Sequence, residues 1–194
     1  MKKIVIILSA FFVLTAFTNG FVTWQNDDPH SQLGFTVTHL GIADVSGTFN
    51  DIDVTVKTSK PDFSDASFEL TAKTASIDTR VDARNNHLKS ADFFDVEQFP
   101  TLNFKSTELK KAGPNSYKLT GDLTLHGVTK PVTMDLLYKG SVENPMSKMQ
   151  TAGFQITGTI KRSDFNVGSK FPAAMISDEV RIKADGEFVS KDIK

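Results

Sequence analysis

Residues 76–104, SIDTRVDARNNHLKSADFFDVEQFPTLNF, are where the chain changes its hydrophobic period. Val81, Leu88 and Ala91 fall at helical spacing, and Arg84, Asn85, Asn86, His87 and Lys89 occupy the remaining faces. Thr79-Arg80-Val81-Asp82 has the outline of a capping box, with a hydroxyl to accept an orphan N–H and a carboxylate three residues on. Phe93, Phe94, Val96 and Phe99 form a second apolar cluster, and Pro100 biases Phe99 towards an extended conformation that ends any helix. The pattern predicts one helical crossover over residues 80–98. Val81, Leu88, Phe93 and Phe94 should pack inward, over one end or seam of the surrounding structure.

Those surroundings read as strand. Phe21 to Gln25 suggests a short first strand, turned by Asp27-Asp28-Pro29, before Leu33, Phe35, Val37 and His39 alternate with polar neighbours. Val45, Gly47 and Phe49 share one parity, whereas Ile52, Val54 and Val56 share the other, which predicts a bulge near Asn50-Asp51 in one long strand. Ala66, Phe68, Leu70 and Ala72 alternate again, and Leu102 and Phe104 open the strand after the crossover. Tyr117 to Leu125 follows, ended by His126-Gly127; between Val132 and Tyr138 both parities are apolar, so the inward face is ambiguous. Ala152 to Ile160 and Val180 to Phe188 are the last two strands. Eight or nine sequential strands joined by short turns describe an all-β antiparallel up-and-down barrel or a closely related sandwich. The connection from Ser163 to Glu179 is the one long loop, and it carries Phe165, Val167, Phe171, Pro172, Met175 and Ile176. A loop this apolar either covers the barrel mouth as a lid or plugs the core.

The first twenty residues stand outside this pattern. Lys2 and Lys3 precede an apolar run from Ile4 to Phe17, too short for a bilayer span, and small residues follow at Thr18 and Gly20. Residues 1–20 are expected to be a cleaved export signal and residues 21–194 a single domain, located in the periplasm or, as second choice, secreted. Loss of Lys2 and Lys3 leaves 20 basic and 23 acidic side chains, a net charge of −3 with no basic excess to suit nucleic acid. The chain has no cysteine, so neither a disulfide nor a thiol nucleophile is available. One Trp and two Tyr do not furnish the aromatic girdles of a transmembrane barrel, and the apolar faces are expected to point inward in a soluble protein.

Catalytic signatures are missing. There is no G-x-S-x-G, H-E-x-x-H, G-x-G-x-x-G or P-loop pattern, and His30, His39, His87 and His126 are scattered without ligand spacing. No metal site, cofactor or catalytic residue is expected. The mature chain instead carries thirteen Phe, whose rings bring no polar atom into an interior. Such an interior suits a hydrocarbon, or the rings simply fill a small barrel. Arg84, His87 and Lys89 either meet an anionic head group or form a solvated helix face.

Several stretches together resemble the YceI-like family of periplasmic polyisoprenoid-binding proteins. They are Trp24 with His30-Ser31, Leu33-x-Phe35-x-Val37-x-His39-Leu40-Gly41, Val45-x-Gly47-x-Phe49 and Ser76-Ile77-Asp78-Thr79. They continue with the run from His87 to Phe94, Phe99-Pro100, the run from Gly121 to Val132, Ala152-Gly153-Phe154 and Arg162-Ser163-Asp164-Phe165. Asn26 stands where the family usually has an aliphatic residue, and Lys89 where Arg is common. The resemblance implies an extended lipocalin-like barrel and non-catalytic binding, storage or transport of a long-chain isoprenoid such as a quinone or polyprenyl phosphate. Transient membrane contact and a homodimer are compatible with it. Strand parity and the apolar loop nominate Phe35, Val37, His39, Phe49, Phe68, Leu70, Phe104, Phe154, Ile156, Phe171 and Met175 as ligand-binding. The competing readings are an enzyme using His39 or His87 on a lipid-like substrate, and a filled-barrel structural or interaction module.

Overall fold

A computed structural model describes residues 20–191 of the chain. The expected export signal, residues 1–20, lies outside the described residues save for Gly20. Ten strands and one helix follow in order: β1 (Val22–His39), β2 (Ala43–Phe49), β3 (Ile52–Thr58), β4 (Ser67–Lys73), β5 (Ile77–Asp78), α1 (Asp82–Lys89), β6 (Thr101–Gly113), β7 (Ser116–Leu125), β8 (Val128–Glu143), β9 (Gln150–Lys161) and β10 (Glu179–Ser190). Every pairing is antiparallel. The order β1-β3-β4-β6-β7-β8-β9-β10 closes when β10 returns to β1, from Trp24↔Ser190 to Thr36↔Arg181. This is an eight-stranded barrel without a free edge around its ring.

The barrel bends at one level. Between Asn26 and Ser31 the ladder of β1 on β10 shifts register, so the expected turn at Asp27-Asp28-Pro29 is a bulge inside one 18-residue strand. At the same level β2 and β3 break at Asn50-Asp51, where the parity switch predicts a bulge, and a 3₁₀ turn at Thr74–Ser76 separates β4 from β5. Below the bend β1 pairs with β3; above it β1 pairs with β2, from Leu33↔Phe49 to His39↔Ala43. Asn26 shows why an amide can stand at this corner. Its Oδ1 accepts the Val54 N–H at 2.7 Å, replacing the ladder bond that the bulge removes, while its Nδ2 donates to Asp28.

Above the bend β5 pairs only with β2, which leaves a seam between it and β6. The crossover fills that seam. It differs from the sequence expectation in length and in cap: α1 has eight residues, and turns occupy most of 90–99. The N-cap is Val81, which makes no capping bond and is 46% exposed. Thr79 is buried and faces the other way, its N–H and hydroxyl both donating to Asn85 Oδ1, while Arg84 donates to Thr79 Oγ1 and O. Asn85 thus bonds backwards to the chain entering the helix, and no capping box forms. Leu88 and Phe94 are half-buried and Phe93 is buried.

The interior has two halves. The lower half is packed around Trp24, Phe68, Tyr117, Phe154 and Phe188, with Phe63 driven into it from the β3–β4 loop. Phe63 is 2% exposed and meets Trp24, Tyr138 and Phe154 at ring-centroid distances of 4.9–5.1 Å. The upper half, lined by Leu33, Phe49, Leu102, Leu123 and Leu125, is covered by the crossover and by the β9–β10 loop. Met134 and Leu136 are buried and Leu137 is exposed, which resolves the ambiguous face of β8. Outward faces carry cross-strand ion pairs such as Lys118–Asp135 and Lys105–Glu69, exposed and each worth less than about 1 kcal/mol. The tight turn at His126-Gly127 places both residues at positive φ, 50° and 74°, as a two-residue hairpin loop of this twist requires.

Candidate functional site: an apolar cavity under a tied lid

The upper half of the barrel encloses a cavity of about 450 Å³. Alternate residues of the strands wall it, because side chains two apart point to the same face. Phe35 and Val37 of β1, Phe49 of β2, Phe68 and Leu70 of β4, Phe104 of β6 and Ile156 of β9 all line it. His39, at the exposed end of β1, stands at its rim with Phe171 and Met175 of the long loop. Ten of the eleven nominated residues therefore share one space. Phe154 does not: it points into the packed lower half, edge-on to Phe63, Phe68 and Phe188. Parity assigned its face but not its height along the barrel axis. Parity also passed over Leu33, Leu102, Leu123, Ile160 and Ile182, which have the same alternation and line the wall as well.

The β9–β10 loop does both things open to it on sequence. Phe165 is buried in the core, Val167 is buried at the cavity wall, and Phe171, Met175 and Ile176 face the cavity. Arg162 organises the whole segment. Its guanidinium is buried, 7% exposed, and donates to five backbone carbonyls: Val167, Gly168, Phe171, Ile176 and Ser177, at 2.6–3.2 Å. A planar fork with five donors is the side chain suited to gather a loop in this way, and its charge is spread over carbonyl dipoles. Arg162 borders the cavity, yet its donors are spent on the loop. Further ties join the loop to β1, where Leu40 N–H donates to Met175 O and Ser177 N–H to Thr38 O.

The loop also meets the crossover. Phe171 stacks on Phe93, centroids 4.8 Å apart and planes 15° from parallel, and His87 lies edge-on to both rings. Lys170 donates to Asp92, whose other oxygen is 3.5 Å from His87 Nε2. The hydrogen bond from Lys170 holds the Asp92 carboxyl below the usual carboxylate range. Arg84 and His87 border the cavity, whereas Lys89 does not. The polar lining is thus sparse: groups at the rim, and buried Thr79 and Arg162, whose hydrogen bonds go to the crossover and to the loop. The closest approach of carboxylates to a histidine elsewhere among the described residues, Asp27, His30 and Glu187 at the β1 bulge, lies away from the cavity.

The fold agrees with that of relatives of the chain. A UPF0312 protein of Pectobacterium atrosepticum is 35% identical over 189 residues, covering 96% of this chain and 97% of that protein. The crystal structure of a Campylobacter jejuni YceI protein superposes with a TM-score of 0.73 at 29% identity, over 80% of this chain and 90% of that one. A polyisoprenoid binding domain from Saccharophagus degradans, 15% identical, shares the fold with a TM-score of 0.65 over 87% of this chain and 98% of that domain. The model of the YceI-like domain matches residues 24–188, from the Trp24 that anchors the packed half to the Phe188 beside it, and the chain belongs to the YceI-like family.

Proposed function

We propose that the protein binds a single apolar tail of an isoprenoid-type lipid, of the quinone or polyprenyl phosphate kind, and stores or carries it without chemical change. The observation that carries this reading is a deep cavity walled by Phe, Leu, Ile and Val, whose few polar neighbours stand at the rim or, at Thr79 and Arg162, are already hydrogen-bonded within the protein. Burying hydrocarbon is worth roughly 0.8 kcal/mol per CH₂, and ordering a flexible tail takes part of that back. A polar head would remain at the rim beside Arg84, His87 and His39. An apolar interior offers no acid–base pair to a buried tail, which favours carriage over catalysis. The export signal expected from residues 1–20 supports a role in the periplasm, where an insoluble lipid needs a carrier between membranes.

The test is competition. An environment-sensitive apolar dye should bind the purified protein at one site and be displaced by an isoprenoid alcohol. A barrel that binds neither would return the filled-module reading, and a chemically altered lipid recovered from the mixture would return the enzyme reading.

A further inference from the structure

The cavity has a floor, and the floor stands at a fixed depth. Phe68 and Leu119 belong both to the cavity wall and to the packed lower half, where Phe154 meets Phe68 edge-on and Phe63 in turn meets Phe154 edge-on. At the top, His39 marks the rim. On β1 the wall runs from Leu33 to His39, six steps of about 3.3 Å, or about 20 Å along the strand. Strands of such barrels tilt by about 40°, so the axial depth is about 15 Å. An isoprene unit has four main-chain bonds of about 1.5 Å and advances about 5 Å when extended. At the roughly 30 Å³ that a water-sized group takes in a liquid, the volume holds on the order of fifteen such groups. Depth and volume agree.

A second feature keeps this space open. Three inward-facing glycines each lie under a large side chain from a neighbouring strand: Gly47 under Phe35, Gly121 under Phe104 and Gly158 under Met134. With no Cβ below them, these side chains lie flat against the wall and not across the lumen. At Gly158 the only obstruction to a Cβ is the flexible end of Met134.

We infer that the barrel measures tails: it encloses three to four isoprene units, with Phe68 and Leu119 as the stop and the Met134–Gly158 pair setting the usable width. This rests on the lipid-binding reading above. Longer tails would leave through the rim, gaining nothing from the extra units.

The experiment is a series of all-trans isoprenols from two to eight units, each titrated against the dye-loaded full-length protein. Affinity should rise about tenfold or more per unit up to three or four units and then level off. Phe68→Ala should move the plateau about one unit longer. Gly158→Ala, which pushes Met134 into the lumen, should move it about one unit shorter, and this shift alone decides the matter if Phe68→Ala does not fold by circular dichroism. Affinity that climbs unbroken to eight units, or a plateau unmoved in folded Gly158→Ala, would overturn the ruler while leaving lipid binding in place. Failure of every isoprenol to displace the dye from the wild-type protein would overturn the lipid reading and the ruler with it.

Discussion

At the scale of single residues, the structure turns on polar groups that hold loops in place. Removing the Arg162 side chain would strand the carbonyls it now gathers, some of them in a buried setting. Hydrogen bonds to a charged group are each worth about 1.5–3 kcal/mol, so Arg162→Met should cost at least about 2 kcal/mol in chemical denaturation. Arg162→Lys should recover less than half of that, since an ammonium has three donors and no planar fork. A loss below about 0.5 kcal/mol in Arg162→Met, the range of ordinary surface substitutions, would mean the loop is held by other contacts. Asp65 plays the matching part at the closed end. Burial opposes its ionisation, but hydrogen bonds from the Ser59 and Thr58 hydroxyls and the Ser59 N–H outweigh it and hold its carboxyl at about 2. Its folded value lies below the unfolded one, so its contribution is present above about pH 4 and is lost as pH falls through about 2. Solvent screening keeps that contribution to about 1 kcal/mol. The stability difference between wild type and Asp65→Asn should therefore shrink between pH 5 and pH 2.5; a constant difference would contradict the assignment. Neither role was legible in the sequence. An Arg after a strand and an Asp in a turn are common, and only the folded loop brings their partners together.

At the scale of elements, periodicity did most of the work where one face is buried. Alternation located the barrel strands, though it read β1 as two and passed over the two-residue β5, and it gave the inward face of most, because a one-residue slip would turn every apolar side chain to solvent. It placed the crossover as well. The cap was misread because Thr79 has a competing partner in Asn85, and a hydroxyl that can bond in two directions does not announce which it takes. Val81 fell at helical spacing but lies before the first turn, so spacing alone did not bury it. Leu88 is half-buried, and Leu88→Ala should accordingly cost less than the 2–5 kcal/mol of a fully buried site. The lid has the sharper test. Met175 is 44% exposed and borders the cavity, so Met175→Asp should leave the melting temperature almost unchanged while speeding dye release about tenfold. Unchanged release from a folded Met175→Asp protein, in stopped-flow dilution, would mean the loop does not gate the cavity.

At the scale of the whole molecule, an eight-stranded barrel usually has just enough interior for its own side chains. Here the interior is divided. Phe63 enters from the β3–β4 loop and, with Trp24, Tyr138 and Phe154, fills one half, while the seam closed by the crossover and the loop gathered by Arg162 leave room in the other. Composition alone could not separate a filled barrel from a hollow one, because Phe serves both: Phe154 packs and Phe35 lines, on strands with the same alternation. What distinguishes them is height along the axis, which register fixes and sequence does not display. Mass spectrometry of organic extracts, from protein freshly purified under non-denaturing conditions, decides whether this cavity holds the apolar tail of a lipid. The expected result is a chemically unaltered isoprenoid-type lipid, close to one per barrel and much reduced in a folded Phe35→Asp variant. Extracts free of lipid, from a protein that also fails to take up added isoprenoid, would contradict it.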